Sequence, residues 1–200
     1  MPHRLTLALT GASGMPYALG LLKALVARRQ AVTLLISDAA REVLRLEHDL
    51  IIPADPAAAE ACFRELSGDR DGLIRLHANS DWTCAAASGS GAPRRMIICP
   101  CSMGTLAAVA TGLSNTLIER AADVAIKEGH RLVLLPREMP FSAIHLQHML
   151  TLARLGVTVM PPCPGFYHRP TDLDGLVGFV VDRVLRQVGL EGDGRPWGIP

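Results

Sequence analysis

Polar and ionisable residues follow five short apolar runs of this chain. They occupy the segments Thr10–Gly14, Ser37–Asp38, Pro100–Thr105, Pro136–Glu138 and Pro161–Arg169. The first and the third of these segments are rich in small residues and lead directly into stretches with a helical pattern. N–H groups at a helix N-terminus attract anions, and small residues let a ligand approach the backbone closely. The pattern therefore predicts a phosphate-bearing ligand.

The spacing of the glycines favours a mononucleotide. No G-x-x-x-x-G-K-[ST] motif occurs, which excludes a nucleotide site of the P-loop type. The dinucleotide pattern G-x-G-x-x-G is also missing, because the next glycine after Gly11 and Gly14 is Gly20. Asp38 stands about where a ribose-binding acid would lie, so an NAD-dependent enzyme is kept as an alternative.

Several cations without an evident structural role form the second candidate feature. They are Arg120, Lys127, Arg137, Arg169 and Arg183. Arg120 and Lys127 are seven residues apart, which places them two turns apart on one helix face. Acidic neighbours leave a solvated helix face as the alternative for this pair. Arg137 and Glu138 directly follow an apolar run, which makes them better candidates for a site.

Metal, redox and hydrolase chemistry fit the sequence less well. Cys99-Pro100-Cys101 is not the redox C-x-x-C motif, and two thiols cannot complete a four-ligand zinc site, so buried thiols are expected. His145 and His148 share a helix face, but no third metal ligand accompanies them. Ser13 lacks the G-x-S-x-G pattern of a hydrolase nucleophile. No metal is therefore expected.

The apolar runs alternate with helical patterns along the chain. The predicted strands are Leu5–Leu9, Ala31–Ile36, Arg95–Cys99, Arg131–Leu135 and Val157–Met160. The predicted helices are Pro16–Arg29, Ala39–Leu46, Pro56–Leu66, Thr105–Ala110, Leu117–Glu128, Ser142–Leu155 and Leu173–Val188. This alternation predicts an α/β fold of three layers, a Rossmann-like, mostly parallel sheet with helices on both faces. The segment 67–93 leaves short strands and a loop open as alternatives.

Length and composition limit the class of protein. The chain has 200 residues, a net charge of +1, 49% apolar and 20% charged residues. One domain over residues 1–190 and an extended tail over 191–200 are expected. Near-neutral charge argues against nucleic acid as the main partner, and no apolar run reaches the roughly 18–20 residues of a membrane helix. With five cysteines and no signal-peptide pattern, a cytoplasmic protein with reduced thiols is expected.

Taken together, the motifs resemble those of the UbiX-type flavin prenyltransferases, which have the flavoprotein fold. The matching pieces are Thr10–Gly14, Ser37, Leu46-Glu47, Pro100–Met103, Arg120–Val124 with Lys127, Leu135–Glu138 with Pro140, and Pro164–Pro170. They have the order and spacing of that family and cover nearly the whole chain. Two regions depart from it: Gly91 stands where members often carry a bulky residue, and residues 53–81 show little resemblance.

The resemblance implies two neighbouring binding sites. FMN would be bound by Gly11, Ala12, Ser13, Ser37, Ser102, Met103, Gly104, Thr105 and Arg137. The phosphate of a dimethylallyl donor would be bound by Arg120, Lys127, Arg137, Tyr167 and Arg183. Tyr167 and Trp197 would also line the prenyl pocket with their π faces. Members of the family attach the prenyl group to N5 of reduced FMN and close a fourth ring without a metal, so FMN is a substrate that binds like a cofactor.

The resemblance also implies roles in the chemistry. Glu138 matches a carboxylate that would remove the ring proton, a task that a phosphate oxygen could share. Ser13 would hydrogen-bond near N5, and Glu47 would steer or protonate at the prenyl site. The cation cluster would stabilise the departing phosphate where a Mg²⁺ would otherwise be needed.

The family further implies a homo-oligomer, a dodecamer, with active sites where subunits meet. Its product would be delivered to a UbiD-type decarboxylase. Two alternatives share the fold: an FMN-dependent cysteine decarboxylase, and a non-catalytic FMN carrier or accessory subunit. The first needs an early catalytic histidine, and His48 does not stand in such a motif. The second would not need Glu138 or a second phosphate site. Whether the donor is a monophosphate or a diphosphate is left open.

Overall fold

A parallel sheet forms the centre of the molecule, whose residues 4–192 are described by a computed structural model. Its six strands are β1 (Leu5–Leu9), β2 (Val32–Ile36), β3 (Ile74–His77), β4 (Arg95–Cys101), β5 (Arg131–Pro136) and β6 (Thr158–Val159). Their order in the sheet is β3-β2-β1-β4-β5-β6, and every pair is parallel. The order therefore reverses between β1 and β4, where a sheet of this kind opens a ligand crevice.

Helices cover both faces of the sheet. They are α1 (Met15–Ala27), α2 (Asp38–His48), α3 (Pro56–Ser67), α4 (Met103–Ala110), α5 (Leu117–Lys127), α6 (Ala143–Arg154) and α7 (Leu173–Gln187), with a 3-10 turn at Ala85–Ala87. Alternate strand residues point to opposite faces, so Leu7 belongs to a buried cluster with residues of α1, α2, α3 and α7, while Ala8 belongs to a second cluster with residues of α4, α5 and α6. This arrangement confirms the predicted three-layer α/β fold.

Two stretches of the sheet differ from the sequence-based expectation. β4 continues two residues beyond the predicted end at Cys99, because Cys101 pairs with Pro136 of β5 after an irregularity in register. β3 lies within the segment 67–93 and pairs with β2 at the edge of the sheet. It is only four residues long and alternates buried and accessible residues, so its pattern is too short to stand out from a loop.

Polar side chains begin most of the helices. The N-cap residues Ser37, Asp55, Ser102, Thr116, Ser142 and Asp172 each accept a hydrogen bond from a backbone N–H of the helix that follows. Such caps satisfy donors that the helix itself leaves without acceptors. Among the α-helices of residues 4–192, α1 alone lacks a cap of its own, because its N-cap is Gly14.

Two expectations concern the membrane and the C-terminal tail. No helix within residues 4–192 is long and apolar enough to cross a bilayer. The predicted tail begins at 191, and its part from residue 193 onward, which includes Trp197, lies outside the described residues.

Candidate active site

The loops after β1 and β4 are joined at the point where the strand order reverses. Thr10, buried at the end of β1, makes the connection. Its hydroxyl donates to the carbonyl of Pro100 at 2.9 Å and accepts from the N–H of Ser102 at 2.8 Å. Its own N–H donates to the same carbonyl at 3.2 Å. These three hydrogen bonds hold both walls of the crevice in place.

Thr10→Val is expected to lower both stability and FMN affinity. The substitution keeps the side-chain volume but leaves the partly buried N–H of Ser102 without its acceptor, which costs about 1 kcal/mol. Urea denaturation and a fluorescence titration with FMN would measure the two effects. Thr6→Val is the matched control, since Thr6 is equally buried in β1 and its hydroxyl makes no hydrogen bond within residues 4–192. Equal losses in both variants would contradict the role given to Thr10.

The N-terminus of α1 is capped by Glu47 of α2. The Glu47 carboxylate accepts from the N–H of Met15 at 2.8 Å, from the N–H of Gly14 at 3.0 Å and from the hydroxyl of Ser13. Partial burial raises the pKa of Glu47, but these hydrogen bonds outweigh burial and bring its pKa below the ordinary value. Glu47 is therefore ionised at neutral pH and orients Ser13. This arrangement favours the predicted steering role over the protonating one.

The N-terminus of α4 offers hydrogen-bond donors to an anion. Ser102 caps the helix by accepting from the N–H of Thr105 at 3.2 Å. The N–H groups of Met103 and Gly104 make no hydrogen bond within residues 4–192, and nothing lies within 4 Å of where a Cβ on Gly104 would stand. Two available donors beside open space at a positive helix end fit a phosphate. This geometry is compatible with the predicted role of the loop, which is to bind the phosphate of FMN.

The loops after β1 and β2 contribute small residues to the same crevice. Gly11 is required by packing, since a Cβ there would overlap the side chain of Ala39. Ala12 is buried. Ser37 accepts from the N–H of Ala40 at 3.1 Å, which leaves its hydroxyl hydrogen for a ligand. Packing against Ala39 therefore requires glycine at position 11, and the contact of Gly11 with FMN stays a prediction.

Arg137 and Glu138 follow β5 at the carboxyl edge of the sheet. The Nε of Arg137 donates to the carbonyl of Ser13 at 3.1 Å, which joins the β5 loop to the β1 loop across β4. Glu138 is exposed, and its carboxylate accepts only from the N–H of Met139, at 3.1 Å, among residues 4–192. One chain thus brings Ser13, Glu47 and Arg137 together, and Glu138 directly follows Arg137 in sequence.

Arg120 and Lys127 lie on α5, whose C-terminus is at the opposite edge of the sheet. Arg120 is oriented by two contacts, from its Nε to the carbonyl of Ala87 at 3.1 Å and from its Nη1 to Asp123 at 2.7 Å. Lys127 pairs with Glu128 at the end of α5, four residues before β5 begins. Strands of six and seven residues span roughly 20 Å, so Lys127 is far from Arg137 of its own chain.

Tyr167 and Arg183 line a third region, a groove of about 1150 Å³ between α1 and α7. Tyr167 packs edge-on against Phe179 with ring centroids 5.6 Å apart, and the His168 ring is stacked parallel to the Phe179 ring at a centroid distance of 5.0 Å. Lys23 and His48 also line the groove. The predicted cation Arg169 is exposed, with a backbone φ of 51° in the turn that follows Tyr167.

The cysteines and histidines behave as structural groups. Burial raises the pKa of the Cys99 thiol to about 12 and raises that of Cys101 as well. Neither thiol is therefore a nucleophile at neutral pH. His145 forms a capping box with Ser142 at the start of α6. Within residues 4–192, no group of three or more His, Cys, Asp and Glu side chains is placed to hold a metal ion.

Sequence reasoning missed two residues that organise the site. Thr10 was grouped with a ligand-binding loop, whereas its hydroxyl joins two strands. Asp123 is one of the acidic neighbours that suggested a solvated helix face for Arg120 and Lys127, whereas it orients Arg120. The spacing of three residues between Arg120 and Asp123 was the one available signal, because such residues are neighbours on a helix surface.

Comparisons with known proteins agree with this geometry. The family model called Flavoprotein matches residues 1–185. A flavin prenyltransferase UbiX of Pseudomonas aeruginosa is 53% identical over 198 residues, which is 98% of this chain and 95% of that protein. The flavin prenyltransferase UbiX of Methanocaldococcus jannaschii is 39% identical and covers 94% of each chain.

Solved structures of similar chains lead to the same family. A dodecameric FMN-dependent UbiX-like decarboxylase of Escherichia coli O157:H7 has 40% identity and a TM-score of 0.85, covering 98% of this chain and 100% of that chain. The structure of AnUbiX in complex with FMN and dimethylallyl pyrophosphate has 35% identity and a TM-score of 0.87, covering 100% of both. The peptidyl-cysteine decarboxylase EpiD, at 14% identity and a TM-score of 0.61, covers 94% of this chain and 99% of that one and shares the fold alone.

Proposed function

The chain belongs to the UbiX family of flavin prenyltransferases, and from this premise we propose that it transfers a dimethylallyl group to N5 of reduced FMN. The crevice between β1 and β4 is the observation that carries the proposal. It combines the two available N–H donors of α4 with Ser13, Glu47 and Arg137 at one edge of the sheet. FMN is both ligand and substrate there.

Transfer breaks the C–O bond of the donor, whose electron pair leaves on the phosphate, forms a bond from the donor carbon to N5 and releases the proton of N5. Ring closure then adds a proton to the inner carbon of the prenyl double bond, forms a bond from the tertiary prenyl carbon to the adjacent ring carbon, and removes the proton of that ring carbon. Glu138 would accept this proton, the role that the family resemblance implies. Ser13, which Glu47 holds, would hydrogen-bond near N5.

Arginines and lysine stabilise the leaving phosphate in this proposal. Arg137 stands beside Ser13, and Arg120 has its guanidinium fixed by Asp123 and Ala87. A guanidinium held in advance loses little freedom when it binds a phosphate, which is the general basis of electrostatic catalysis by preorganised groups. The cations supply the positive charge without a metal.

We propose that each active site is completed by neighbouring chains. Arg137 lies at the carboxyl edge of the sheet, Lys127 lies toward the opposite edge, and Tyr167 with Arg183 lines a separate groove. These groups can surround one donor only if different copies of the chain contribute them. The dodecameric relative supports such an assembly.

Helix α6 offers the surface for that assembly. Leu152 is its one fully buried side chain, whereas Ile144, Leu146 and Leu150 are 67%, 53% and 44% exposed. Met139, which precedes the helix, is 87% exposed. An apolar patch of this extent on a helix is typical of a surface that a partner covers.

Anaerobic incubation with reduced FMN and a dimethylallyl donor tests the proposed activity. Mass spectrometry of the flavin is expected to show the added five-carbon unit, with dimethylallyl phosphate and dimethylallyl diphosphate tested in separate reactions. Unchanged flavin with both donors would refute the proposal. Oxidised FMN serves as the control, since the transfer requires the reduced flavin.

Two further parts of the proposal concern the setting of the enzyme. We propose that the prenylated FMN is handed to a UbiD-type decarboxylase, as the family resemblance implies. We also propose the cytoplasm as its compartment. The five cysteines, all free, support this location because thiols persist under reducing conditions.

A further inference from the structure

A cationic cleft lies at the amino edge of the sheet, away from the FMN loops. It has a volume of about 680 Å³. Its charged lining residues are Arg94, Arg95, Arg131, His130 and Glu128, and the loop residues Gly89 and Ser90 complete the wall. We call it the arginine cleft. Nothing in the site described above uses its three arginines.

The three arginines are held next to each other by the sheet. Arg95 of β4 and Arg131 of β5 are direct partners in the parallel register, and the N–H of Arg131 donates to the carbonyl of Arg94 at 3.0 Å. Like charges in adjacent positions of neighbouring strands destabilise a sheet. Partial burial and the charge of Arg131 together lower the pKa of Arg95. The fold therefore retains a repulsion between the charges of Arg95 and Arg131 at this edge of the sheet.

Anionic groups of the chain do not compensate this charge. Within residues 4–192, Arg94 and Arg131 form no ion pair and no side-chain hydrogen bond, and Arg95 donates to the neutral amide of Gln30 at 2.7 Å. The one carboxylate of the cleft, Glu128, is engaged by Lys127. The Nδ1 of His130 is buried without a hydrogen-bond partner. The arginine cleft therefore has cationic donors that lack an acceptor.

The arginine cleft adjoins the predicted donor-phosphate residues. Gly89 lines the cleft, and a Cβ on it would lie 2.9 Å from the Nζ of Lys127. Lys127, a residue predicted to bind the donor's phosphate, thus lies at the rim of the arginine cleft. Arg94, Arg95 and Arg131 are therefore the nearest further cations that line a cavity beside it.

We propose that the arginine cleft binds the phosphate released by the transfer and so forms its exit site. The inference rests on the proposed function and adds a second anion subsite to it. Arginine forks match the oxygens of orthophosphate and of pyrophosphate equally well, so both are considered as the ligand. The first would come from a monophosphate donor, and the second from a diphosphate donor.

Equilibrium dialysis with radiolabelled phosphate tests the exit site. The protein is loaded with oxidised FMN and saturating dimethylallyl phosphate, which fill the two substrate sites without turnover. The binding of labelled orthophosphate and the binding of labelled pyrophosphate are then measured in separate experiments. Because no prenyl transfer takes place, the result does not depend on whether the proposed activity is correct.

Saturable binding of at least one labelled anion is expected for the wild-type protein. The double variant Arg94→Ser/Arg131→Ser should bind it at least about tenfold more weakly, because two charge-assisted contacts are lost. The lysine variant Arg94→Lys/Arg131→Lys keeps the charge. Its affinity for the anion should lie between those of the wild type and the double serine variant. Arg70→Ser, which removes an exposed arginine elsewhere, should leave binding unchanged.

Three results would overturn the exit site. They are no saturable binding of either anion, equal affinity in the wild type and the double serine variant, and an equal loss in Arg70→Ser. Melting temperatures of all variants establish that the chains are folded. If only the binding of orthophosphate is weakened in the double serine variant, the cleft suits the product of a monophosphate donor. If only the binding of pyrophosphate is weakened, it suits the product of a diphosphate donor.

Discussion

Glu138→Gln is expected to bind FMN with wild-type affinity and to form prenylated flavin at least about 100-fold more slowly, the usual range for loss of a general base. Glutamine has nearly the same shape and keeps the hydrogen bond from Met139, but it cannot accept a proton at neutral pH. The FMN contacts on α4 and the link from Arg137 to Ser13 do not involve this side chain. Binding and chemistry are thus separable at Glu138.

Single-turnover experiments under anaerobic conditions, followed by mass spectrometry, would measure this loss. If ring closure is the step that fails, a flavin carrying the open prenyl chain should accumulate, with the same mass as the product but a different absorption spectrum. Glu65→Gln, on the exposed side of α3, is the matched control. Normal turnover in Glu138→Gln would remove this carboxylate from the mechanism.

Mixing two inactive variants is expected to restore activity. Arg137→Ala and Lys127→Ala should each reduce turnover by about 100-fold or more, as the loss of a preorganised donor to a developing charge does. If the two residues act on one donor from different chains, random co-assembly gives a wild-type pair at about a quarter of the sites. Co-expression of two differently tagged chains and tandem purification would supply the mixed assembly.

A second mixture separates the two arrangements of the site. Wild-type chains co-assembled with a chain carrying both substitutions should retain about a quarter of the activity if the site is shared, and about half if each chain is self-sufficient. Mixed single variants should be inactive in the self-sufficient case. Activity of about half in this mixture and none in the mixed singles would therefore contradict the shared site.

Local patterns made the fold predictable. Solid apolar runs such as Leu5–Leu9 and Arg131–Leu135 are strands buried on both faces, and the structure places them within one residue of the expected bounds. The helix starts carry Ser, Thr or Asp side chains that act on the next few residues. Both signals involve residues that are close together in the chain, so they can be identified from the sequence alone. β3 was too short to carry such a signal.

The composition of the crevice was likewise determined by the sequence. Its loops follow predicted strands, and parallel strands bring their carboxyl ends to one edge, so Ser13, Ser102 and Arg137 were expected to meet. The structure places the side chain of Arg137 against Ser13. The family motifs, which are ordered along the whole chain, then identified the reaction.

Only the tertiary structure decided which of these residues act together in one chain. Glu47 caps α1 because α2 folds back against the β1 loop, a contact across 32 residues that no spacing displays. Lys127 is directed away from Arg137 because α5 runs antiparallel to the strands and ends where β5 begins. The order of the motifs shows which residue types are present. The distances between those residues depend on the directions in which whole helices and strands run. For this reason the set of cations can be recognised in the sequence, whereas only the structure shows that they lie in separate regions of one chain.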